Sequence, residues 1–211
     1  MASGEHLYAD AHRTVASVIR ERRSVREFLP RLVSRELVAE LIDTAVWAPN
    51  HYVNEPWRFY VVDGRSRGRL GEIARQVTER RLGSVAGADP VVVQARADEA
   101  AHSWAAVPLH VYATVVADAD PVVDLENYGA ASCAVQNLML AAHAAGLASA
   151  WGSGPIAADP QMRALFGVRE DERLVAHLRM GYPDPTRAAP RQRRTSGGEK
   201  TAWVDTAPWL A

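Results

Sequence analysis

We predict that residues 1–211 form a single α+β domain. Segments with helical spacing of apolar residues and segments rich in β-branched and aromatic residues are both present. They do not follow the regular strand–helix–strand alternation of a doubly wound parallel sheet, which favours helices packed on a mixed or antiparallel sheet. A chain of 211 residues is long enough to bury one substantial core.

The first half of the chain predicts two helices and a strand. Apolar residues at helical spacing predict a helix over residues 8–22. A second helix is expected to begin with Ser34 as its N-cap, to carry Glu36 in its first turn and to end before Pro49. The sequence WRFYVVD, residues 57–63, is typical of a strand.

The second half contains the longest helix and the strongest strand. Further predicted elements are helices over 65–83, 123–145 and 158–166, and strands over 107–118, 147–154 and 173–183. Gly146 is expected to stop the long helix. Residues 84–105 are ambiguous; we expect a mobile, largely helical excursion that could serve as a lid. The residues from 184 to 211 form a C-terminal extension.

Charge and residue counts argue against several kinds of binding site and covalent link. A net charge of −1 gives no overall attraction to nucleic acid or to an anionic membrane. One cysteine, Cys133, cannot form an intramolecular disulfide, and the seven histidines lack metal-ligand spacing. The first twelve residues lack the apolar region of a signal peptide, so we expect a cytoplasmic protein.

Four arginines surround Ser24 near the end of the first predicted helix: Arg20, Arg22, Arg23 and Arg26. One interpretation is a solvated cluster, because cations are favourable near a helix C-terminus. The other is an anion site, because arginine forks and a serine hydroxyl match the geometry of a phosphate. The sequence alone leaves both open.

Two further features have alternative interpretations. The predicted helix 123–145 is rich in alanine, which fits either a tight core or a subunit interface; its apolar positions surround the helix, which favours an oligomer. The sequence WGSGP, residues 151–155, fits either a turn that needs positive φ or a backbone that approaches a ligand closely.

Four motifs in order resemble one known family. They are RRSVREF (22–28), APNHYVNEPWRFYVV (48–62), AAHAAGLASAWGSG (141–154) and MGYPDP (180–185). This order resembles the nitroreductase family of FMN-dependent NAD(P)H oxidoreductases. The histidine in A-P-x-H-x-x-x-x-P-W is similar to that of a compact subgroup of NAD(P)H nitroreductases.

The resemblance implies a nitroreductase-like sandwich with a central, mostly antiparallel sheet, flanking helices and an intertwined homodimer. FMN would lie at the subunit interface. Arg22, Arg23 and Ser24 would hold the phosphate and ribityl end, and Arg26 would reach the pyrimidine side. The other implied cofactor-binding residues are Asn50, His51 and Glu55 from the other subunit, Trp151, Gly152 and Ser153 over the flavin, and Arg194 near the phosphate.

The chain departs from the family pattern at two positions. Val53 replaces an asparagine, and Glu55 replaces the glutamine that precedes Pro-Trp. A glutamine both donates and accepts hydrogen bonds, whereas an ionised glutamate only accepts. Glu55 could therefore accept from flavin N3–H but would repel a flavin carbonyl oxygen.

The function implied by the resemblance is hydride transfer from NADH or NADPH, through flavin N5, to a small acceptor such as a nitroaromatic, a quinone or an activated alkene. No catalytic residue and no metal are predicted. One alternative is a flavin-binding or flavin-sequestering protein of the same fold without turnover. Another is a phosphate-ligand binding module unrelated to flavin.

Overall fold

The computed structural model describes residues 4–62, 64, 66–187 and 193–204. Its helices are α1 (Gly4–Glu21), α2 (Arg35–Ala45), α3 (Arg67–Gly83), α4 (Pro90–Ala105), α5 (Pro121–Ala144) and α6 (Pro160–Phe166), with a 3-10 helix at Gly197–Lys200. Its strands are β1 (Trp57–Val62), β2 (Leu109–Val116), β3 (Ala148–Gly152) and β4 (Glu172–Gly181). Parts of the predicted C-terminal extension, residues 188–192 and 205–211, lie outside the described residues.

The four strands form one antiparallel sheet in the order β1-β2-β4-β3. The central strands β2 and β4 are almost entirely buried, and β1 and β3 are the edges. One face of the sheet packs against α2 and α5, and the other packs against α3, α4 and α6. The predicted α+β class and antiparallel sheet are confirmed.

Helix ends follow local sequence signals. Ser34 Oγ accepts from the backbone N–H of Leu37 at 3.2 Å, which confirms the predicted N-cap of α2. Gly146 has φ +79°, and the following N–H of Leu147 donates to Ala142 O at 2.8 Å, which ends α5 as predicted.

Residues 84–105 contain helix α4, which agrees with the largely helical segment expected from the sequence and forms a helical hairpin with α3. Helix α4 packs along α3, and Gly71 of α3 lies so close to α4 that a Cβ there would meet the backbone oxygen of Ala101 at 2.6 Å. Ala97 and Trp104 of α4 are buried, whereas Val91 is 76% exposed. Within the described residues, no helix is both long and apolar enough to span a membrane.

Candidate cofactor site

Residues 22–28, here called the arginine strip, lie alongside the edge strand β3. Ser24 pairs with Ser149 in a parallel bridge, and Val25 N–H donates to Ser149 O at 3.1 Å. Further along, Leu29 N–H donates to Tyr182 O at 2.9 Å. The strip is therefore held at both ends, next to the motif that contains β3.

A cavity of about 690 Å³ opens beside the strip. It gathers residues from α1, the strip, α5 and the C-terminal extension. The lining residues are Ile19, Arg20, Arg22, Arg23, Ser24, Gln136 and Arg194. Three predicted phosphate ligands and the predicted tail residue Arg194 thus meet in one place, and none of the lining residues is acidic.

The guanidinium of Arg22 is affected both by burial and by the other cations near the cavity. Its Nη1 atom is buried and has no hydrogen-bond partner. Burial is the main cause that lowers the pKa of Arg22, and the nearby cations Arg23 and Arg194 add to it. A buried, unpartnered guanidinium N–H among other cations is a favourable site for an anion, because an oxyanion would satisfy the donor and offset the repulsion.

Arg23 has a different role in the structure. Its Nη1 atom donates to the carbonyl oxygens of Arg20 and of Arg22, the latter at 2.8 Å. A cation that bonds the free carbonyls at the end of α1 stabilises the helix terminus. Arg23 therefore closes the helix end, as the first interpretation of the arginine cluster predicts. Arg22 lines the cavity, and the anion site stays a prediction.

Arg26 lies near a second arginine that the sequence did not single out. Arg179, in β4, pairs across the sheet with Ala150 of β3 and is half-buried. Burial lowers the pKa of Arg179, and the charge of Arg26 adds to the shift. The Arg179 guanidinium lies 5.9 Å from the centroid of the Trp104 ring. Arg26 and Arg179 are therefore close enough for their charges to interact.

The end of β3 carries the predicted residues Trp151, Gly152 and Ser153. Trp151 pairs with Leu178 and Gly152 with His177, and Trp151 is 36% exposed. Neither Gly152 nor Gly154 adopts positive φ. A turn that needs positive φ is therefore not the reason for these glycines, and their approach to a ligand stays a prediction.

Asn50, His51 and Glu55 lie in a turn that is organised by its own side chains. Asn50 Oδ1 accepts from Glu55 N–H at 2.8 Å, and His51 Nδ1 lies 3.0 Å from Glu126 Oε2. Val53 and Glu55 have φ of 52° and 45°, a conformation that non-glycine residues rarely adopt. Strained backbone of this kind is often found at functional sites.

Within a single chain, the turn at 50–55 lies far from the arginine strip. The turn leads into β1 at one edge of the sheet, and the strip lies along β3 at the other edge. Three strand spacings of about 4.8 Å separate these edges. None of residues 50–55 lines the cavity beside the strip.

A buried histidine pair lies on the α4 side of the sheet. His110 Nδ1 is 2.9 Å from His177 Nε2, and His110 Nε2 is 3.0 Å from Trp104 O. The carbonyl can only accept, so His110 is protonated on Nε2 and accepts at Nδ1 from His177. Burial lowers the pKa of His110 to about 3 and that of His177 well below its usual value, so both rings are neutral.

His110 and His177 are therefore part of the core. Across the described part of the chain, no cluster of three or more potential ligands could hold a metal ion.

The cavity of this α+β fold gathers arginines and a serine hydroxyl, groups whose chemistry suits an anionic ligand such as a phosphate. The model of the Nitroreductase family matches residues 19–182, and the chain belongs to this family.

Relatives of known sequence span most of the chain. YdjA of Escherichia coli (strain K12) is 30% identical over 166 residues, covering 77% of this chain and 84% of YdjA. YfhC of Bacillus subtilis (strain 168) is 29% identical over 174 residues, covering 82% and 86%. Both are provisionally named NAD(P)H nitroreductases.

Solved structures share the fold. A nitroreductase-like protein from Bacillus cereus has a TM-score of 0.77 at 30% identity and covers 90% of this chain, which covers 96% of it. The FMN-dependent nitroreductase NfnB from Mycobacterium smegmatis, solved with NADPH, has a TM-score of 0.72 at 21% identity, with coverage of 92% and 100%.

Proposed function

We propose that this protein is an FMN-dependent oxidoreductase that uses NADH or NADPH to reduce a small acceptor. The observation that carries the proposal is the cavity beside the arginine strip, with its buried, unpartnered Arg22 Nη1. Membership of the Nitroreductase family and the FMN and NADPH of the solved M. smegmatis relative support it. FMN, when bound, accepts a hydride from the nicotinamide and passes reducing equivalents to the acceptor.

The residues of the cavity fit the phosphate end of FMN. Arg22, Ser24 and Arg194 offer a fork, a hydroxyl and a second cation to a dianionic phosphate. Arg26 would lie at the pyrimidine side, where a fixed positive charge stabilises negative charge on the ring. Trp151, Gly152 and Ser153 would cover the flavin.

The active form would be a homodimer in which the turn at 50–55 of one subunit completes the site of the other. A groove of about 400 Å³ between α1, α2 and α5 is lined largely by apolar residues. Val15, Ile19 and Trp47 line it and are 57%, 50% and 87% exposed. A second copy of the chain would cover this surface and would bring Asn50, His51 and Glu55 to the partner's arginine strip.

The hydride donors and acceptors are tested by anaerobic reduction. The purified protein with FMN is mixed with NADH or NADPH, and the flavin absorbance is followed; free FMN at the same concentration is the control. We expect bleaching faster than for free FMN, and recovery on addition of a nitroaromatic, a quinone or an activated alkene. Absence of faster bleaching with both donors would exclude the reductase function.

The dimer is tested separately by light scattering. Trp47→Glu is expected to shift the protein toward the monomer and to weaken FMN binding, whereas Val91→Glu, exposed outside the groove, should change neither. A monomeric wild-type protein that binds FMN fully would contradict this part of the proposal.

A second candidate function is flavin binding without turnover. It is favoured by Glu55, whose exposed carboxylate stands where the family has a glutamine. Repulsion between this carboxylate and a flavin carbonyl would disfavour negative charge on the ring. Tight FMN binding with no faster bleaching by either donor would support this candidate instead.

A further inference from the structure

We propose that Asn127, in α5 and outside the family motifs, is a positioning residue that sets the orientation of Glu55 at the cofactor. The link is a chain of three side-chain amides. The inference rests on the proposed function for its consequence at FMN, but the chain of amides itself belongs to the protein without any ligand.

The chain starts at the Glu55 backbone N–H and ends inside α5. Glu55 N–H donates to Asn50 Oδ1 at 2.8 Å, and Asn50 Nδ2 donates to Asn54 Oδ1 at 3.1 Å. Asn54 Nδ2 then donates to Asn127 Oδ1, also at 3.1 Å. Because a backbone N–H can only donate, the first bond fixes the orientation of Asn50, and the orientations of the next two amides follow.

Asn127 provides the fixed end of the chain. It is 2% exposed, and the adjacent residue Glu126 holds His51 from the same helix. Long-range bonds from two consecutive residues of α5 thus anchor a turn that precedes β1. Apolar residues are usual at buried helix positions, and the hydrogen bond from Asn54 explains why the buried residue here is Asn127.

The turn needs this anchor because its backbone is strained. Val53 and Glu55 both have positive φ, which is disfavoured for residues with a Cβ and most of all for a β-branched one. The bond from Glu55 N–H to Asn50 stabilises that conformation directly, and Asn54 and Asn127 hold Asn50 in place. Without the chain we expect the backbone to relax and the Glu55 carboxylate to change direction.

The consequence concerns the assignment of Asn50. The resemblance made Asn50 a flavin ligand, whereas the structure gives both ends of its amide to the turn. In this arrangement Glu55 contacts the cofactor, and Asn50, Asn54 and Asn127 determine where its carboxylate lies.

The first test measures hydrogen exchange of the Glu55 amide in the protein without FMN. Asn127→Leu removes the final acceptor at similar volume, and Asn127→Asp keeps an acceptor. We expect exchange to become about tenfold faster in Asn127→Leu, the change expected for loss of one hydrogen bond, and to stay close to wild type in Asn127→Asp. Ser132→Ala, on the same helix but outside the chain of amides, should leave Glu55 exchange unchanged.

The second test measures the dissociation constant for FMN in the same variants. We expect about tenfold weaker binding for Asn127→Leu and rescue in Asn127→Asp. Asn54→Ala removes the middle amide at an exposed position, so it tests the chain without disturbing the core. The double variant Asn54→Ala/Asn127→Leu should bind FMN no more weakly than either single variant, because both substitutions interrupt the same chain of amides.

The outcomes separate the inference from the proposed function. Unchanged Glu55 exchange in Asn127→Leu and Asn54→Ala, or equal effects of the leucine and aspartate variants, would overturn the role of Asn127. Wild-type protein that binds no FMN would overturn the proposed function, while the exchange measurement would still decide whether the amide chain positions Glu55.

Discussion

Replacing Arg22 with methionine should affect stability and cofactor binding in opposite directions. Arg22 Nη1 is buried without a partner, and its neighbours Arg23 and Arg194 are also cations. An unsatisfied buried donor costs about 1–3 kcal/mol. Methionine keeps most of the apolar stem and removes the donor and the charge, so the ligand-free protein should gain about 1 kcal/mol after some loss of packing. For a chain of this length that is about 2–4 °C in Tm.

The same change should weaken FMN binding. A charge-assisted hydrogen bond to phosphate contributes about 1.5–3 kcal/mol, so its loss corresponds to about 10- to 150-fold in Kd. Calorimetric unfolding without FMN and titration with FMN measure the two effects. Arg96→Met is the control, because Arg96 is exposed and pairs with Glu99 on the surface of α4. A lower Tm together with unchanged FMN affinity would refute the reasoning.

Three further predictions concern the turn, the core and the helical hairpin. Glu55→Gln should keep or improve FMN affinity, measured by fluorescence titration; a large loss would show that the carboxylate has its own role. The neutral His110–His177 pair should make the free energy of unfolding fall as pH decreases below about 6.5, because the unfolded histidines bind protons that the folded pair, with the pKa of His110 at about 3, does not. Double substitution to phenylalanine should flatten this dependence between pH 4 and 6.5 in denaturant titrations, and an unchanged slope would contradict it. Gly71→Ala should lower Tm, because the new Cβ would meet a backbone oxygen of α4 at 2.6 Å. Gly68→Ala is the control and should not lower Tm, since a Cβ there would have nothing within 4 Å. Equal Tm changes in the two variants would show that the close approach at Gly71 is relieved at little cost.

Helix ends were predictable where one residue supplies the whole signal. Ser34 and Gly146 act within a few residues of the chain, so their roles are visible in sequence. The start of α4 was harder, because the run Val91–Val93 favours a strand as much as a helix. Asp89 before Pro90 decides it, since the Asp89 side chain accepts from the N–H of Val91.

The pair Asp-Pro often marks the start of a helix in this sequence, but it is not sufficient to start one. It also begins α5 at Asp120 and α6 at Asp159. At Asp184 the same pair begins no helix over residues 185–187, although the carboxylate accepts from the backbone N–H of Thr186 just as the caps of α4, α5 and α6 accept two residues on. Unlike those caps it also accepts from a hydroxyl, that of Thr186. An Asp-Pro pair therefore permits a helix start but does not by itself require one.

The motifs of the candidate site could be recognised in the sequence, but the polar residues that lie outside these motifs could not. Arg22, Ser24 and Arg194 line one cavity, and their role as phosphate ligands stays a prediction. Arg179 and Gln136 could not be selected, because each is one polar residue in a buried element with no local pattern. Only the pairing of Arg179 with Ala150 in β3, next to the arginine strip, brings it to Arg26.

Hydrogen-bond satisfaction differs between the two halves of the candidate site. Across the described residues, the buried side-chain atoms without a partner are Arg22 Nη1 and Ser149 Oγ. Both belong to the junction where Ser24 pairs with Ser149. The turn at 50–55 instead satisfies its amides internally, through the chain that ends at Asn127. Native proteins leave few buried polar groups unsatisfied, so in the proposed function the free donor would mark the half where the ligand supplies the missing atoms. The turn, whose amides are bonded to one another, would be the half whose shape is set before any ligand binds. The proposed function would then take affinity from the arginine strip and orientation from the turn.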